Sequence, residues 1–145
     1  NVLLVAGALA IAGAVSTSVF AGDPIADRKA AMKANGAAAK VVGDMMAEGG
    51  TYDAAKAAEA LNSVAAIAKV FPDWFPAGSE TGGETTASPK IWAEMDAFKA
   101  ASAKMAADAE ASAAAAAGGK EALGATLGAF FGNCKSCHET FRIAK

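Results

Sequence analysis

Histidine occurs once in this chain and cysteine only twice, and all three fall between Cys134 and His138. A single imidazole leaves no second histidine to act as a general base. Three strong metal ligands fall short of the four that a structural zinc site normally uses. Positive charge is also scarce: 13 Lys and Arg against 15 Asp and Glu give a formal net charge of -2, which excludes the basic footprint of a dedicated nucleic-acid binder. No glycine-rich phosphate loop is present, and no stretch alternates apolar and polar residues as a half-buried strand does. With 145 residues, 54% of them hydrophobic, the chain can bury one core but is too short for two domains.

Charge is missing altogether from the first segment, "NVLLVAGALAIAGAVSTSVFAGDP", until Asp23. Its Leu/Val/Ala run matches a secretory h-region, and Val19-Phe20-Ala21 offers a small residue at the cleavage point. We expect residues 1-21 to be a signal peptide cleaved after Ala21, leaving 22-145 as one helical domain. With no initiator Met or basic n-region ahead of Asn1, the sequence reads as truncated at its start. The competing reading is an uncleaved anchor, since about 20 apolar residues span a bilayer. Export places the cysteines outside the reducing cytosol, where a covalent cofactor bond or a disulfide persists.

Beyond Ala21 the chain is punctuated as helices. Asp23 and Pro24 form a cap-plus-proline start, and Gly49-Gly50 close the first segment. Ile25, Met32, Ala39 and Met46 recur every seven residues and predict its core stripe. A second helix begins near Thr51, with Leu61, Val64, Ala68 and Phe71 in helical spacing, and stops at Pro72. The connection "FPDWFPAGSETGGETTASP" is irregular, with Trp74 and Phe75 expected to fold back on the body. A third helix opens at Ser88-Pro89 and carries Ile91, Met95, Phe98, Ser102, Met105 and Ala109. The alanine tract ending at Gly118-Gly119 is expected to be its helical end rather than disorder. The last helix aligns Leu123, Leu127, Phe130, Cys134, Cys137 and Phe141. The predicted fold class is all-α, an antiparallel up-down-up-down four-helix bundle.

Cys134-Lys135-Ser136-Cys137-His138 has the C-x-x-C-H spacing of c-type haem attachment. Residues three apart share one side of a helix, so both thiols can meet one porphyrin edge while the adjacent imidazole reaches the iron. A thioredoxin-like dithiol needs a βαβ setting that this chain lacks. A plain disulfide leaves His138 unexplained, and its three-residue span inside a helix is awkward. The expected cofactor is one covalent haem c with its iron.

The single C-x-x-C-H near the end of an exported four-helix chain, Phe141-Arg142 just beyond it, "RKAAMKANG" from Arg28 to Gly36 and "SPKIWAEMDAF" opening the third helix together resemble the class II c-type cytochromes. This is the cytochrome c′ family, with the low-spin cytochrome c-556 group nearest, and the resemblance spans Asp23 to Lys145. It implies Cys134 and Cys137 as thioether attachments and His138 as proximal iron ligand. Family members with an apolar distal residue are high-spin, five-coordinate and bind NO or CO, whereas those with a distal methionine transfer electrons. In an antiparallel bundle His138 lies level with the start of the first helix. Met45 and Met46 stand about 20 Å too far along it, but Met95 on the third helix remains a rival to Met32. The resemblance selects Met32, four residues after Arg28. It also implies Arg28 near a haem propionate and Arg142 beside the proximal imidazole. Trp92 and Phe131 either flank the porphyrin or are plain core aromatics. The functional expectation is a periplasmic electron carrier, not an enzyme, with redox proteins as donor and acceptor, no nucleic-acid partner, no membrane span once the leader is removed, and a homodimer as the family's common assembly. The alternative is the gas-binding, five-coordinate form.

Overall fold

A computed structural model describes residues 22-143, so the proposed leader at 1-21 lies outside the described residues. The elements are α1 (Pro24–Met46), α2 (Ala54–Val70), α3 (Lys90–Ala93), α4 (Met95–Ala115) and α5 (Lys120–Phe141), with 3-10 turns at Phe71–Trp74 and Ala116–Gly118. α1 packs on α2, α2 on α4 and α4 on α5, which makes the all-helical bundle expected from the periodicity. Among the described residues no helix is long and apolar enough to cross a membrane.

Local chemistry sets the helix ends. The Asp23 carboxylate accepts the Ile25 N–H at 2.9 Å ahead of Pro24, and the Asp53 carboxylate accepts the Lys56 N–H at 3.0 Å, so each covers an otherwise unpaired helical donor. α1 stops at Met46, short of the expected Gly49-Gly50, because Ala47 turns extended (φ -61°, ψ 161°). The chain then reverses through Gly49 at φ +74°. Gly119, at φ +96°, makes the turn into α5.

Two of the expected details change. The third helix breaks at Glu94 (φ -126°, ψ 46°), which separates the single turn of α3 from α4. The Trp92 indole N–H donates to the Pro76 carbonyl at 3.2 Å and Ile91 is buried, so this turn is tied to the preceding connection rather than to the axis of α4. The core stripe of α1 is also displaced by one residue: Ile25, Arg28, Ala31, Ala38, Val42 and Met45 are buried, while Met32 is 36% exposed. Both heptad series, 31/38/45 and 32/39/46, are apolar, so periodicity alone does not tell which of them meets α2.

The interior has an aliphatic and an aromatic part. Val42, Met45, Leu61, Val64, Leu123, Leu127 and Phe130 fill the first, with alanines of α2 and α4 letting the helices approach closely. Phe75, Ile91, Phe98 and Phe141 form the second, against which Phe71, Trp74 and Trp92 pack. Phe75 lies 4.8 Å from Phe98, and Phe98 lies 5.2 Å from Phe141, in edge-on contacts, the geometry that aromatic quadrupoles favour. The 71-89 connection therefore folds back as expected. Its far end is fastened to the chain beyond α5: the Ser88 N–H donates to the Phe141 carbonyl at 3.0 Å and the Ile143 N–H to the Thr86 carbonyl at 2.8 Å.

Candidate functional site

The last two turns of α5 carry Cys134, Cys137 and His138. Both cysteines are free and half-buried, and Cys137 packs against the aromatic cluster. Burial pushes both thiols above the ordinary thiol value, that of Cys137 further through Cys134. They are thus held neutral, unlike an activated redox cysteine. Burial, and then the Arg142 guanidinium, hold the His138 imidazole below its usual value, which leaves the ring neutral and its nitrogen lone pair free for a metal. Two thiols on one side of a helix beside a neutral imidazole form the donor set that covalent haem requires. Among the described residues no group of three His, Cys, Asp or Glu side chains is disposed to hold a bare metal ion.

α1 and α5 touch where the end of α1 passes the start of α5. The Met46 methyl lies 3.3 Å from where a Cβ on Gly124 would stand, and the Lys120 ammonium donates to the Ala47 carbonyl at 3.0 Å. These contacts fix an antiparallel register. Two heptads from Met46 toward the start of α1 lead to Met32, and two from Gly124 toward the end of α5 lead to His138. Each step covers about 21 Å and turns the facing side by only about 40°. By this count Met32 and His138 fall at about the same height along α1 and α5. Phe131, one heptad from Gly124 and 37% exposed, lies on the Gly124 side of α5. Of the series 32/39/46, Met46 reaches α5 at Gly124, and the series lies beside the core stripe of α1 rather than on it.

The other expected site residues gather mainly around the aromatic part. Arg28 is 5% exposed; its Nη atoms donate to the Ser79 hydroxyl at 3.3 Å and the Ser79 carbonyl at 2.8 Å. Its guanidinium lies 4.5 Å from the Phe75 ring centre and 5.6 Å from that of Trp92. Burial lowers its pKa, partly offset by Asp23 and Glu80, and its Nε is buried without an acceptor. Trp92 stands with Arg28 and Phe75 in the aromatic part. Arg142 donates from Nε to the Thr86 hydroxyl at 3.3 Å and is near enough to His138 to act on its charge. Met95 packs into the aromatic cluster and Met45 into the aliphatic one. Sequence reasoning missed Asn133, 7% exposed beside Cys134, and its partner Asp108. The one available signal was a polar residue falling on the buried stripe of α5.

A family model described as Cytochrome C′ matches residues 23–142. This chain belongs to the cytochrome c′ family. Cytochrome c′ of Rhodopseudomonas palustris is 41% identical over 123 residues, covering 85% of this chain and 84% of that protein. A cytochrome c-556 of Agrobacterium tumefaciens is 38% identical over 118 residues, 81% of this chain and 93% of its own. A solved Rhodopseudomonas palustris cytochrome c′ superposes with a TM-score of 0.79 at 40% identity, over 86% of this chain and 98% of that one. The fold of a cytochrome c′ is thus that of the present bundle, and as a family member the chain carries one covalent haem c with its iron.

Proposed function

We propose that this cytochrome is a periplasmic electron carrier in which Cys134 and Cys137 would hold the haem through thioethers and His138 and Met32 would be the ligands to its iron. The haem supplies an iron that passes between ferric and ferrous. Cys134 and Cys137 would hold the group covalently, each thiol supplying the sulfur of one thioether to a vinyl substituent, with no net oxidation. The neutral His138 imidazole offers a nitrogen, and the Met32 sulfur favours the ferrous form and raises the potential. The unpartnered Nε of Arg28 is a donor suited to a propionate carboxylate. Arg142 beside His138 disfavours protonation of the ring and so favours ligation. Residues 1-21 serve as the export leader, and the mature domain starts at Gly22, one residue ahead of the Asp23 cap. Redox proteins act as donor and acceptor.

What supports this reading is the antiparallel contact of Met46 with Gly124 and of Ala47 with Lys120, from which helix geometry counts Met32 to the height of His138. Met45 and Met46 lie about 20 Å away along α1, and Met95 is engaged in the aromatic cluster. The test is the optical spectrum of the ferrous holoprotein at neutral pH with and without CO. Met ligation gives sharp low-spin bands and little CO uptake, and Met32→Leu converts both to the high-spin, CO-reactive form. Rapid CO binding by the parent protein would instead select the five-coordinate, gas-binding reading and remove the Met32 assignment.

A further inference from the structure

Asn133 is the residue immediately before Cys134, and it lies on the buried side of α5. Its amide Nδ2 donates twice, to the Asp108 carboxylate on α4 at 2.7 Å and to the Ala129 carbonyl one turn back at 3.0 Å. The same Asp108 oxygen also accepts from Lys104. The Lys104 and Asn133 hydrogen bonds hold the Asp108 carboxyl below the usual carboxylate range. Elsewhere on this stripe the residues are Leu123, Leu127, Phe130 and Phe141, so an apolar side chain at 133 would pack without the cost of burying an amide. A directional hydrogen bond can specify one rotational setting where apolar contacts accept several.

We infer that Asn133, clamped to Asp108, is a positioning residue that sets the rotation of α5 about its axis and so the direction in which the His138 imidazole plane meets the iron. With both amide hydrogens used, one on α4 and one on its own helix, the side chain ties the azimuth of α5 to α4 at the level of the attachment cysteines. His138 lies five residues later in the same unbroken helix, so a rotation of the turn at 133 is carried directly to the ring. Lys104 holds the carboxylate in place from the α4 side.

The inference rests on His138 ligating the iron, which His138→Gly tests separately: an unchanged ferric spectrum in that variant defeats the ligation reading itself. The experiment on the clamp is proton NMR of the ferric holoprotein, in which the order and spread of the four haem-methyl resonances report the orientation of the axial imidazole. Asn133→Asp sets two carboxylates against each other and is expected to change that order or spread. The exchanged pair, Asp108→Asn with Asn133→Asp, restores an amide-to-carboxylate hydrogen bond and should return the parent pattern. If Asn133→Asp fails to mature, Asn133→Leu keeps the size and removes the donor, and the same change is expected from it. A folded variant of lower stability with the parent methyl pattern would overturn the inference, since a purely structural clamp lowers stability and changes nothing at the haem. So would an exchanged pair that leaves the pattern altered.

Discussion

Arg28 is the only charged side chain counted among the buried residues of the described chain, and its surroundings explain how it stays there. Two Nη hydrogen bonds to Ser79 and the faces of Phe75 and Trp92 replace part of the water that the guanidinium gives up. The Ser79 hydroxyl in turn donates to the Pro76 carbonyl at 2.8 Å, so the arginine closes α1 onto the folded-back connection. Charged hydrogen bonds are worth about 1.5–3 kcal/mol, and stacking on aromatic faces about 0.5–2 kcal/mol, with desolvation opposing both. Arg28→Met keeps the aliphatic stem but strands the Ser79 carbonyl, and should destabilise the folded protein by about 2 kcal/mol. A denaturant midpoint measured on the holoprotein checks this. A change within about 0.5 kcal/mol, as for an ordinary surface substitution, would contradict it.

At the scale of the element, the end of α1 shows which glycines the backbone requires. A Cβ on Gly50 would stand 2.3 Å from the Asp44 carbonyl oxygen and 2.8 Å from that of Met45, both backbone atoms that cannot swing aside. Gly43, inside α1, has nothing within 4 Å. Gly50→Ala should therefore cost about 3 kcal/mol by overpacking, whereas Gly43→Ala should gain about 0.8 kcal/mol from helix propensity. Thermal unfolding of the two variants should shift in opposite directions, and a stabilised Gly50→Ala would refute the close approach. The same helix shows what a sequence makes legible. Its start was readable because an Asp-Pro pair has one dominant use, and its existence because seven-residue spacing has one geometry. Its burial was not readable, because alanine and methionine make Ala31, Met32, Ala38, Ala39, Met45 and Met46 apolar on two adjacent flanks, and only the neighbours select between them. C-x-x-C-H was readable because three chemically distinctive residues sit at the spacing of one helix side. Asn133 and Asp108 were not, because a hydrogen bond between α4 and α5 has no spacing in the chain. The bend at Glu94 was hidden for the same reason, since it answers to Pro76 and not to the residues beside it.

For the molecule as a whole, an aliphatic interior ties α1, α2, α4 and α5 together and an aromatic one supports the cysteine-bearing turn through Cys137. Among the described residues no carboxylate is buried, so below the range of His138 the response to acid is set at the periphery, at Asp53 and Asp108. The Asp53 carboxyl is held below its usual value mainly by the backbone N–H of Lys56, and that of Asp108 mainly by Lys104 and then Asn133. Because their pKa values are lower folded than unfolded, the unfolded chain binds more protons in the interval between the two. The stability they contribute is complete above the ordinary carboxylate value and is lost as pH falls through the folded values. The unfolding midpoint should accordingly ease downward once pH falls through the ordinary imidazole value, where His138 protonates unfolded but resists it folded, and decline further below the ordinary carboxylate range. Asp53→Asn keeps a capping oxygen and Asp108→Asn keeps an acceptor for Asn133, but neither titrates. The double variant should start lower at neutral pH, where Lys104 has lost its partner, and trace a flatter acid limb than the parent. Denaturant midpoints of both proteins measured across that pH range decide the matter: parallel acid limbs would mean that these two carboxylates do not govern the acid stability of the bundle.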